Sequence, residues 1–408
     1  MGHVQDTWYR PIIDAATGKR TREKTGLHGK GQRYRVRYCD PDGVERSKSF
    51  PDRQKKAADD FLVSTENDKR HGTYIDPNAG AQSFRAYAEA WLESQTFEES
   101  TREAVAIRLR KHIFPHLGGY TLAALSPTHV RTWDREMQKR GLAPSYRQVM
   151  FVHVQTILNA AVDDEKIRKN PCNASSVRKP QIPSRKVKPW SLEWVHAVHD
   201  ALPERYQITV PLGAGIGLRQ GEVFGLAVDD VDFLGKTVHI VRQVKLVRAQ
   251  LCFGPPKRGK TRDVPLPNSV GLALAQHIER YSPLAVTLPW KEPAGELVTA
   301  RLITYTRDRT AVRRTAFNRF IWKPALCQAG APPSRENGFH ALRHFYVSML
   351  LDAGETITAL ATYLGHSDPG FTLRTYTHLM PSSEERTRRA VDGVFGPASP
   401  SADGMETA

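Results

Sequence analysis

The 408-residue sequence contains few cysteines and no long stretch that is apolar throughout. The cysteines Cys39, Cys172, Cys252 and Cys327 lie far apart, and none forms a Cys-x-x-Cys pair. This spacing argues against a disulfide framework and against a zinc site. No apolar segment is long enough to span a bilayer, and residues 1–10 lack the apolar run of a signal peptide. We therefore expect the chain to stay in the cytoplasm.

The sequence also lacks a Gly-x-x-x-x-Gly-Lys-Ser/Thr loop for nucleoside triphosphates and an acidic cluster that would hold two metal ions. We expect no cofactor and no metal. Positive charge, in contrast, is abundant, with 59 Lys and Arg against 43 Asp and Glu and a net charge of +16. This excess indicates a polyanionic partner. Basic residues run through the whole chain and not along one amphipathic helix, so nucleic acid is favoured over a membrane surface.

Residues 1–80 are expected to form a small N-terminal domain, a three-stranded sheet plus a helix. The segment Arg33–Tyr38 alternates basic with apolar residues, the turn Asp40–Gly43 follows, and the pattern predicts a hairpin that ends near Phe50. A helix is predicted from about Gln54 to Lys69, and a linker at Tyr74–Gly80. The sheet would expose a basic face that fits a DNA groove, or one that is merely solvated. The candidate DNA-binding residues on this face are Arg33, Arg35 and Arg37.

Residues 81–175 have the apolar period of four or five helices and predict a compact helical domain. Ser126 and Pro127 have the pattern of an N-cap followed by proline at the first helical position, and Pro144 opens another helix. The stiff, basic stretch 176–189 predicts an interdomain linker that passes along a DNA backbone or is only solvated. Its candidate DNA-binding residues are Arg185, Lys186 and Lys188.

Residues 190–395 are predicted to form a mixed, mainly helical domain with one small antiparallel sheet. Ser191 is expected to cap its first helix. Strands are expected as a meander from Val238 through Leu251 that returns at 262–266, with helices from there onward. Residues 396–408 have the composition of a disordered tail. The predicted fold class is therefore multidomain α+β.

The last quarter of the chain carries His340 and Arg343 in an H-x-x-R motif, then His366 and, ten residues later, Tyr376. An earlier arginine, Arg219, stands in Gly-Leu-Arg-Gln-Gly-Glu, and a Gly- and Pro-rich turn carries a basic run from 257 to 260. Each motif alone is weak, because a short His/Arg pattern arises readily by chance. Their joint occurrence in this order supplies a nucleophile together with cations for a phosphodiester.

These motifs together resemble those of the tyrosine recombinases, the phage integrase family, and most closely the integrases of actinobacterial phages and integrative elements. The resemblance extends to the rest of the chain: residues 1–80 resemble an arm-type DNA-binding domain, and residues 81–175 a core-binding, SAM-like domain. It implies a site-specific recombinase that integrates and excises a mobile element through a 3′-phosphotyrosyl intermediate. Double-stranded attachment sites, a homotetramer on DNA and an excisionase or host DNA-bending protein would be its partners.

The charge of the phosphodiester explains the residue types. A tyrosine with an ordinary pKa of about 10 is a poor nucleophile toward an anion. Planar guanidiniums on Arg219 and Arg343 would neutralise the phosphate in the ground state and the transition state. Glu222 would orient Arg219 or form a helix surface pair.

The resemblance assigns protonation of the leaving 5′-oxygen to Lys257. Lys260, in the same turn, is the alternative acid and also a candidate DNA-binding residue. His340 would accept or orient the tyrosine proton, and His366 would donate to a phosphate oxygen. Two other functions stay open at this point. One is a resolvase- or topoisomerase-like strand-transfer enzyme, and the other is a DNA-binding regulator without catalysis.

Overall fold

The computed structural model describes residues 2–13, 18, 20–72, 74–76, 79–183, 188–366 and 368–376, and beyond these residues 388, 391, 392 and 395. The described residues form two compact units. The first draws on Met1–Thr96 and Ala104–Pro183, and the second on Phe97–Glu103 and Ser184–Ala408. The fold mixes helices with small antiparallel sheets. In the described ranges, no helix combines the length and apolarity needed to cross a membrane.

Short antiparallel strands recur along the chain. They are β1 His3–Asp6, β2 Tyr9–Ile13, β3 Arg20–Lys24, β4 Tyr34–Cys39, β5 Glu45–Phe50, β6 Val231–Asp232, β7 Thr237–Ile240, β8 Gln243–Val247, β9 Gln250–Gly254, β10 Arg262–Pro265, β11 Leu284–Pro289 and β12 Leu297–Leu302.

The α-helices range from single turns to the 20 residues of the longest. They are α1 Lys55–Arg70, α2 Phe84–Ser94, α3 Glu99–Arg108, α4 Phe114–Leu117, α5 Pro127–Lys139, α6 Pro144–Asp163, α7 Leu192–Ala201, α8 Glu204–Gln207, α9 Gln220–Gly225, α10 Asn268–Arg280, α11 Arg314–Phe317, α12 Lys323–Gln328, α13 His340–Asp352, α14 Ile357–Leu364 and α15 Pro369–Tyr376.

The N-terminal sheet has the strand order β1-β4-β5, and all its pairings are antiparallel. Along β4, Tyr34, Val36 and Tyr38 are buried and pack with Ala58 of α1, because alternate strand residues face opposite sides of a sheet. The predicted hairpin and the predicted helix are both present. A second ribbon, β2 paired with β3, was not predicted. Its strands carry little apolar alternation, and β3 is exposed along its whole length.

The helices of the segment from Phe84 onward begin where their capping residues predict. Ser126 forms a capping box with His129 at the start of α5, and Pro127 and Pro144 open α5 and α6. The apolar stripe of α2 is buried at Phe84, Tyr87 and Ala88. Helix α3 continues into a π-helical turn at 109–113, which the helical period did not reveal.

The strands of the second unit do not form the predicted single meander. Strand β7 pairs with β6 and β10, whereas β8 and β9 form a separate hairpin. Arg248 and Ala249 connect that hairpin with positive φ angles of 46° and 63°, a two-residue turn that folds β8 directly back on β9. The expectation of helices alone after β10 was also wrong. Strands β11 and β12 pair there, and alternate residues along β11, such as Leu284 and Val286, are buried.

One large apolar core holds the second unit together and includes Phe224, Phe317, Trp322 and Leu342. A smaller cluster joins the C-terminal helices α13, α14 and α15. Ser191 caps α7 as predicted, since its hydroxyl accepts a hydrogen bond from the amide of Trp194. The predicted tail 396–408 lies outside the described residues.

Candidate active site

One open cavity of ≈ 440 Å³ collects side chains from parts of the second unit that lie far apart in sequence. Five of the six predicted catalytic residues line it. They are Arg219, Lys257, His340, Arg343 and His366. Gly365, Asp368, Phe371 and Arg374 complete the lining.

Arg219 is the N-cap residue of α9 and has extended backbone geometry. Its amide donates to Oε2 of Glu222 at 2.9 Å, and its Nη1 donates to Oε1 at 2.8 Å. Its Nη2 donates to the carbonyl of Leu364 at 3.0 Å. These two side-chain bonds use two of the five N–H groups of the guanidinium and hold its plane in place.

Arg343, in the first turn of α13, is only 1% exposed. Its Nη1 donates to the carbonyl of Gly217 at 2.7 Å, and its Nη2 donates to the carbonyl of Leu364. Burial and the neighbouring charge of Arg219 lower the pKa of Arg343 to about 9. The guanidinium is still charged at neutral pH.

The two arginines therefore share one acceptor, the carbonyl of Leu364 at the end of α14. Gly365 follows it in the left-handed region, at φ 63°, and ends the helix. A glycine is favoured there because a side chain in this conformation is strained. The turn at Gly365 thus brings both guanidiniums to the same point.

Glu222 lies beneath this pair and is 1% exposed. Besides Arg219, it accepts two hydrogen bonds from Arg262, at 3.0 Å and 2.7 Å. Burial raises the pKa of Glu222, but the hydrogen bonds and charges of Arg262, Arg219 and Arg343 outweigh it and lower the pKa to about 2. Two guanidiniums, those of Arg262 and Arg219, thus bind this carboxylate, and the charge of a third, Arg343, acts on it without a hydrogen bond. The cluster keeps an excess of positive charge that suits a bound anion.

His340 precedes Arg343 in the sequence and His366 follows it, and both line the cavity. His366 Nδ1 is 2.7 Å from the hydroxyl of Thr372, and its Nε2 is 3.4 Å from Nη2 of Arg343. His340 begins α13 with an exposed side chain. Desolvation by neighbouring groups lowers its pKa, and the nearby imidazole of His344 and the charges of Arg343 and Arg219 lower it further. We therefore expect His340 to be neutral near pH 7.

Tyr376, the sixth predicted catalytic residue, is not part of the cavity lining. It ends α15 and is 2% exposed, in the small core cluster with Leu360 and Leu364. Its phenolic oxygen lies 2.6 Å from Nδ1 of His344. Burial raises the pKa of Tyr376 to about 12, against the opposing charge of Arg343, so the phenol is protonated at neutral pH.

The two predicted lysines of the β9–β10 turn are placed differently. Lys257 begins a 3₁₀ turn, Lys257–Gly259, with an exposed side chain, and it lines the cavity. Lys260 is exposed, and it is not among the cavity's lining residues. Of the two, the structure brings Lys257 to the arginines.

The residues predicted to bind DNA elsewhere are distributed unevenly. Arg35 is exposed on the outer face of β4, and Lys188 is exposed. Arg33 instead donates to Asp6 and Asp52. Arg37 donates to Glu45 at 3.1 Å. The remaining two candidates, Arg185 and Lys186, lie outside the described residues.

Sequence reasoning missed two residues of this site, Arg262 and His344. Arg262 lies in β10, where an alternating pattern marks it only as a strand residue whose side chain is buried. His344 follows Arg343 directly and stands four residues after His340, which places both histidines on one side of α13. That helical spacing was the available signal.

The part of the chain that is described also bears on metal binding and on reactive thiols. No group of three or more His, Cys, Asp or Glu side chains there is arranged to hold a metal ion. The thiols of Cys172 and Cys252 are buried, and burial raises the pKa of both.

Comparison with protein families matches both units. The model of the Phage integrase family matches residues 192–383, and a model described as the N-terminal SAM-like domain of phage integrases matches residues 83–138.

Individual relatives match most of the chain. A putative prophage phiRv2 integrase of Mycobacterium tuberculosis is 26% identical over 373 residues, 89% of this chain and 93% of that protein. An integrase of Streptomyces ambofaciens is 26% identical over 401 residues, 93% of this chain and 99% of the relative.

Solved structures share the fold at lower identity. The Tn1549 transposon integrase, in complex with a circular intermediate DNA, matches with a TM-score of 0.63 and 17% identity, over 76% of this chain and 98% of its own. A lambda integrase tetramer bound to a Holliday junction matches with a TM-score of 0.54 and 14% identity, over 82% and 93% of the two chains.

Proposed function

Because this chain belongs to the phage integrase family of tyrosine recombinases and is a site-specific DNA recombinase, we propose that it cuts DNA through a 3′-phosphotyrosyl intermediate on Tyr376. The cut strand is rejoined to a partner strand, and the outcome is integration or excision of a mobile element. The observation that carries this proposal is the cavity in which Arg219 and Arg343 converge on the carbonyl of Leu364, beside the helix that holds Tyr376.

The cavity supports phosphodiester binding by its charge. Arg219 and Arg343 are held by backbone carbonyls and by Glu222, and neither guanidinium uses all of its N–H groups in these contacts. The remaining N–H groups would bind the non-bridging oxygens. Because the guanidiniums are already oriented, little reorganisation is needed as negative charge develops in the transition state. His366 would add a hydrogen bond to the same phosphate.

Lys257 is assigned the role of general acid for the leaving 5′-oxygen. It is the turn lysine that lines the cavity with the arginines, whereas Lys260 does not. A mobile ammonium that is partly desolvated by bound DNA gives up its proton more readily than in water. Since guanidiniums supply the neutralising charge, the reaction is proposed to need neither a metal ion nor ATP.

The other parts of the chain are assigned to DNA recognition. Residues 1–80 would bind arm-type DNA, residues 81–175 the core site, and residues 190–395 would catalyse strand transfer, with 176–189 as a basic linker. Support in the first segment comes from Arg35 on the outer face of its sheet. Support in the second comes from the SAM-like match to residues 83–138.

The N-terminal basic surface is wider than the predicted hairpin. In the β2–β3 ribbon, Lys24, Arg22 and Arg20 alternate along one strand and so share one face, whereas Arg10 on the other face pairs with Glu23. Arg22 lines one groove together with Arg35 and Arg37 of the sheet. A two-stranded ribbon fits the width of the major groove.

Double-stranded attachment sites are the proposed partners, with a homotetramer as the assembly on DNA. The lambda integrase tetramer on a Holliday junction is the structural precedent, and it has the same fold. An excisionase or a host DNA-bending protein would select the direction of the reaction. The proposed compartment is the cytoplasm of a bacterial host.

A nicked duplex that carries the element's core attachment site tests the proposal. After incubation in EDTA and denaturation, the wild-type protein should be linked covalently to the 3′ phosphate, and Tyr376→Phe should form no link. An adduct that persists in Tyr376→Phe would refute the nucleophile. Site-specific binding without any adduct by the wild type would favour the regulator function.

A further inference from the structure

We propose that His344 is the proton acceptor for Tyr376 during strand cleavage, in place of His340. This inference rests on the proposed function and names a further catalytic residue for it. The phenolic oxygen of Tyr376 is the reacting atom, and His344 Nδ1 lies 2.6 Å from it, within hydrogen-bonding distance.

Both partners of this contact are held in place. Tyr376 is 2% exposed and packs in the cluster that joins α13, α14 and α15. His344 is half-buried on α13, one residue after Arg343. The helix that carries the acceptor therefore also carries a phosphate-binding arginine, and the two stay in a fixed relation while the phosphate is bound.

The other two histidines of the site have different contacts. His340 lines the cavity, and its ring meets the edge of the His344 ring at 4.7 Å between centroids. His366 is engaged with Thr372 and with Arg343. Among these three imidazoles, His344 is the one in hydrogen-bond contact with the phenol.

The step balances without any further reactant. The phenolic oxygen of Tyr376 forms a bond to phosphorus, its proton moves to Nδ1 of His344, and the bond between phosphorus and the 5′-oxygen breaks. The leaving oxygen takes a proton from the separate acid, Lys257. In rejoining, a 5′-hydroxyl attacks the phosphotyrosyl link, His344 returns its proton to the phenolate, and the hydroxyl proton returns to Lys257.

The charges around His344 make proton transfer from Tyr376 depend on the bound DNA. Among the described residues, its charged and titratable neighbours are His340 and Arg343 on α13 and Tyr376 on α15. Burial, and then the charge of Arg343, lower the pKa of His344 to about 4, so the imidazole is neutral and able to accept. A cation formed there is disfavoured beside Arg343 until a phosphodiester brings negative charge. Tyr376 would thus be activated only when DNA is bound.

The test measures the single-turnover rate at which each variant forms the covalent adduct on the nicked duplex. The wild-type protein must first be seen to form that adduct. If the wild type forms no adduct, the proposed function fails; the role of His344 is judged from the variants once that adduct is seen. His344→Ala should react about 10²- to 10⁴-fold more slowly, and added imidazole should restore part of the rate. His199→Ala, which removes an exposed histidine of the same unit, should match the wild type with and without imidazole.

Two further experiments distinguish proton transfer by His344 from mere positioning of Tyr376. His344→Gln retains a side chain that hydrogen-bonds the phenol but does not take up a proton, so it should be as slow as His344→Ala. A substrate with sulfur in place of the bridging 5′-oxygen needs no acid and should rescue Lys257→Ala but not His344→Ala. A near-wild-type rate for His344→Gln, no restoration of His344→Ala by imidazole, or rescue of His344→Ala by the sulfur substrate would each overturn the proposal.

Discussion

Arg262 and Glu222 form a buried ion pair with two parallel hydrogen bonds, 3.0 Å between Nη1 and Oε1 and 2.7 Å between Nη2 and Oε2. Oε1 of the same carboxylate also accepts from Arg219 at 2.8 Å. Arg262 therefore acts on the site through Glu222. It keeps the carboxylate ionised, and the carboxylate orients the arginine that faces the cavity.

Replacing Arg262 by methionine should destabilise the second unit by roughly 3–5 kcal/mol, because Glu222 would lose its main partner in a buried position. Adduct formation should also fall, since Arg219 would lose its fixed orientation. Urea denaturation and the nicked-duplex assay measure the two effects. The exposed Arg301, which pairs with Asp229, provides the matched control. Arg301→Met should change stability much less, and equal losses in both variants would contradict this account.

Glu222→Gln should change how stability depends on pH. The pKa of Glu222 is lowered from 4.5 to about 2 in the folded protein, so its ionised form stabilises the fold above pH 4.5. This contribution, on the order of 3 kcal/mol, should decline as the pH falls from 4.5 toward 2. Denaturation of wild type and variant in parallel should give a constant difference at pH 5–7 and a shrinking one below pH 4.5. A difference that does not depend on pH would exclude the assigned ionisation.

Replacing each of the two turn lysines, Lys257 and Lys260, should have a different effect on the rate of adduct formation. Lys257→Ala should slow adduct formation by about 10²- to 10⁴-fold on an ordinary substrate, as expected for loss of a general acid. Lys260→Ala should leave the cleavage rate close to that of the wild type, because this residue does not line the cavity. Single-turnover rates at saturating protein are the measurement. A large loss in Lys260→Ala with a small one in Lys257→Ala would reverse the assignment.

A side chain at position 217 should destabilise the protein and disturb Arg343. The φ of Gly217 is +68°, a Cβ there would lie 2.5 Å from the ring of Tyr346, and its carbonyl accepts from Arg343 at 2.7 Å. Gly217→Ala should cost about 1–3 kcal/mol and should lower cleavage by shifting Arg343. Gly330 has a φ of +74° with open space around it, so Gly330→Ala isolates the backbone strain. We expect Gly330→Ala to cleave normally in the nicked-duplex assay. Equal losses of stability and cleavage in both variants would argue against the contact with Tyr346.

Two N-terminal arginines should have different roles, Arg35 in DNA binding and Arg33 in stability. Arg35→Ala should weaken arm-DNA binding and reduce the slope of log K against log salt by about 0.9, as expected for one lost phosphate contact. Arg33→Ala should instead lower the melting temperature of the N-terminal segment, since Arg33 binds Asp6 and Asp52. Salt titrations and thermal melts of both variants are the test. A pure binding defect in Arg33→Ala would show that DNA displaces its carboxylate partners.

The residue types and their order along the chain were enough to identify the recombinase family and to name candidate catalytic residues. Arg219, Arg343 and Tyr376 are recognisable because the charge of a phosphodiester limits which residue types can serve, and their order along the chain is preserved in any fold. Local signals also located many elements. Ser126 with Pro127, Pro144 and Ser191 mark helix starts, since capping depends on neighbouring residues alone.

The residues that complete the candidate site are visible in the folded structure alone. Arg262 lies 40 residues from Glu222, and His344 lies 32 residues from Tyr376, so no local pattern pairs them. The choice of Lys257 over Lys260 depends on how one turn faces a cavity formed by distant segments. Strand partners in the second unit were likewise settled by pairing across the chain. These relations arise from long-range packing and burial, which hydrophobic period and spacing do not encode.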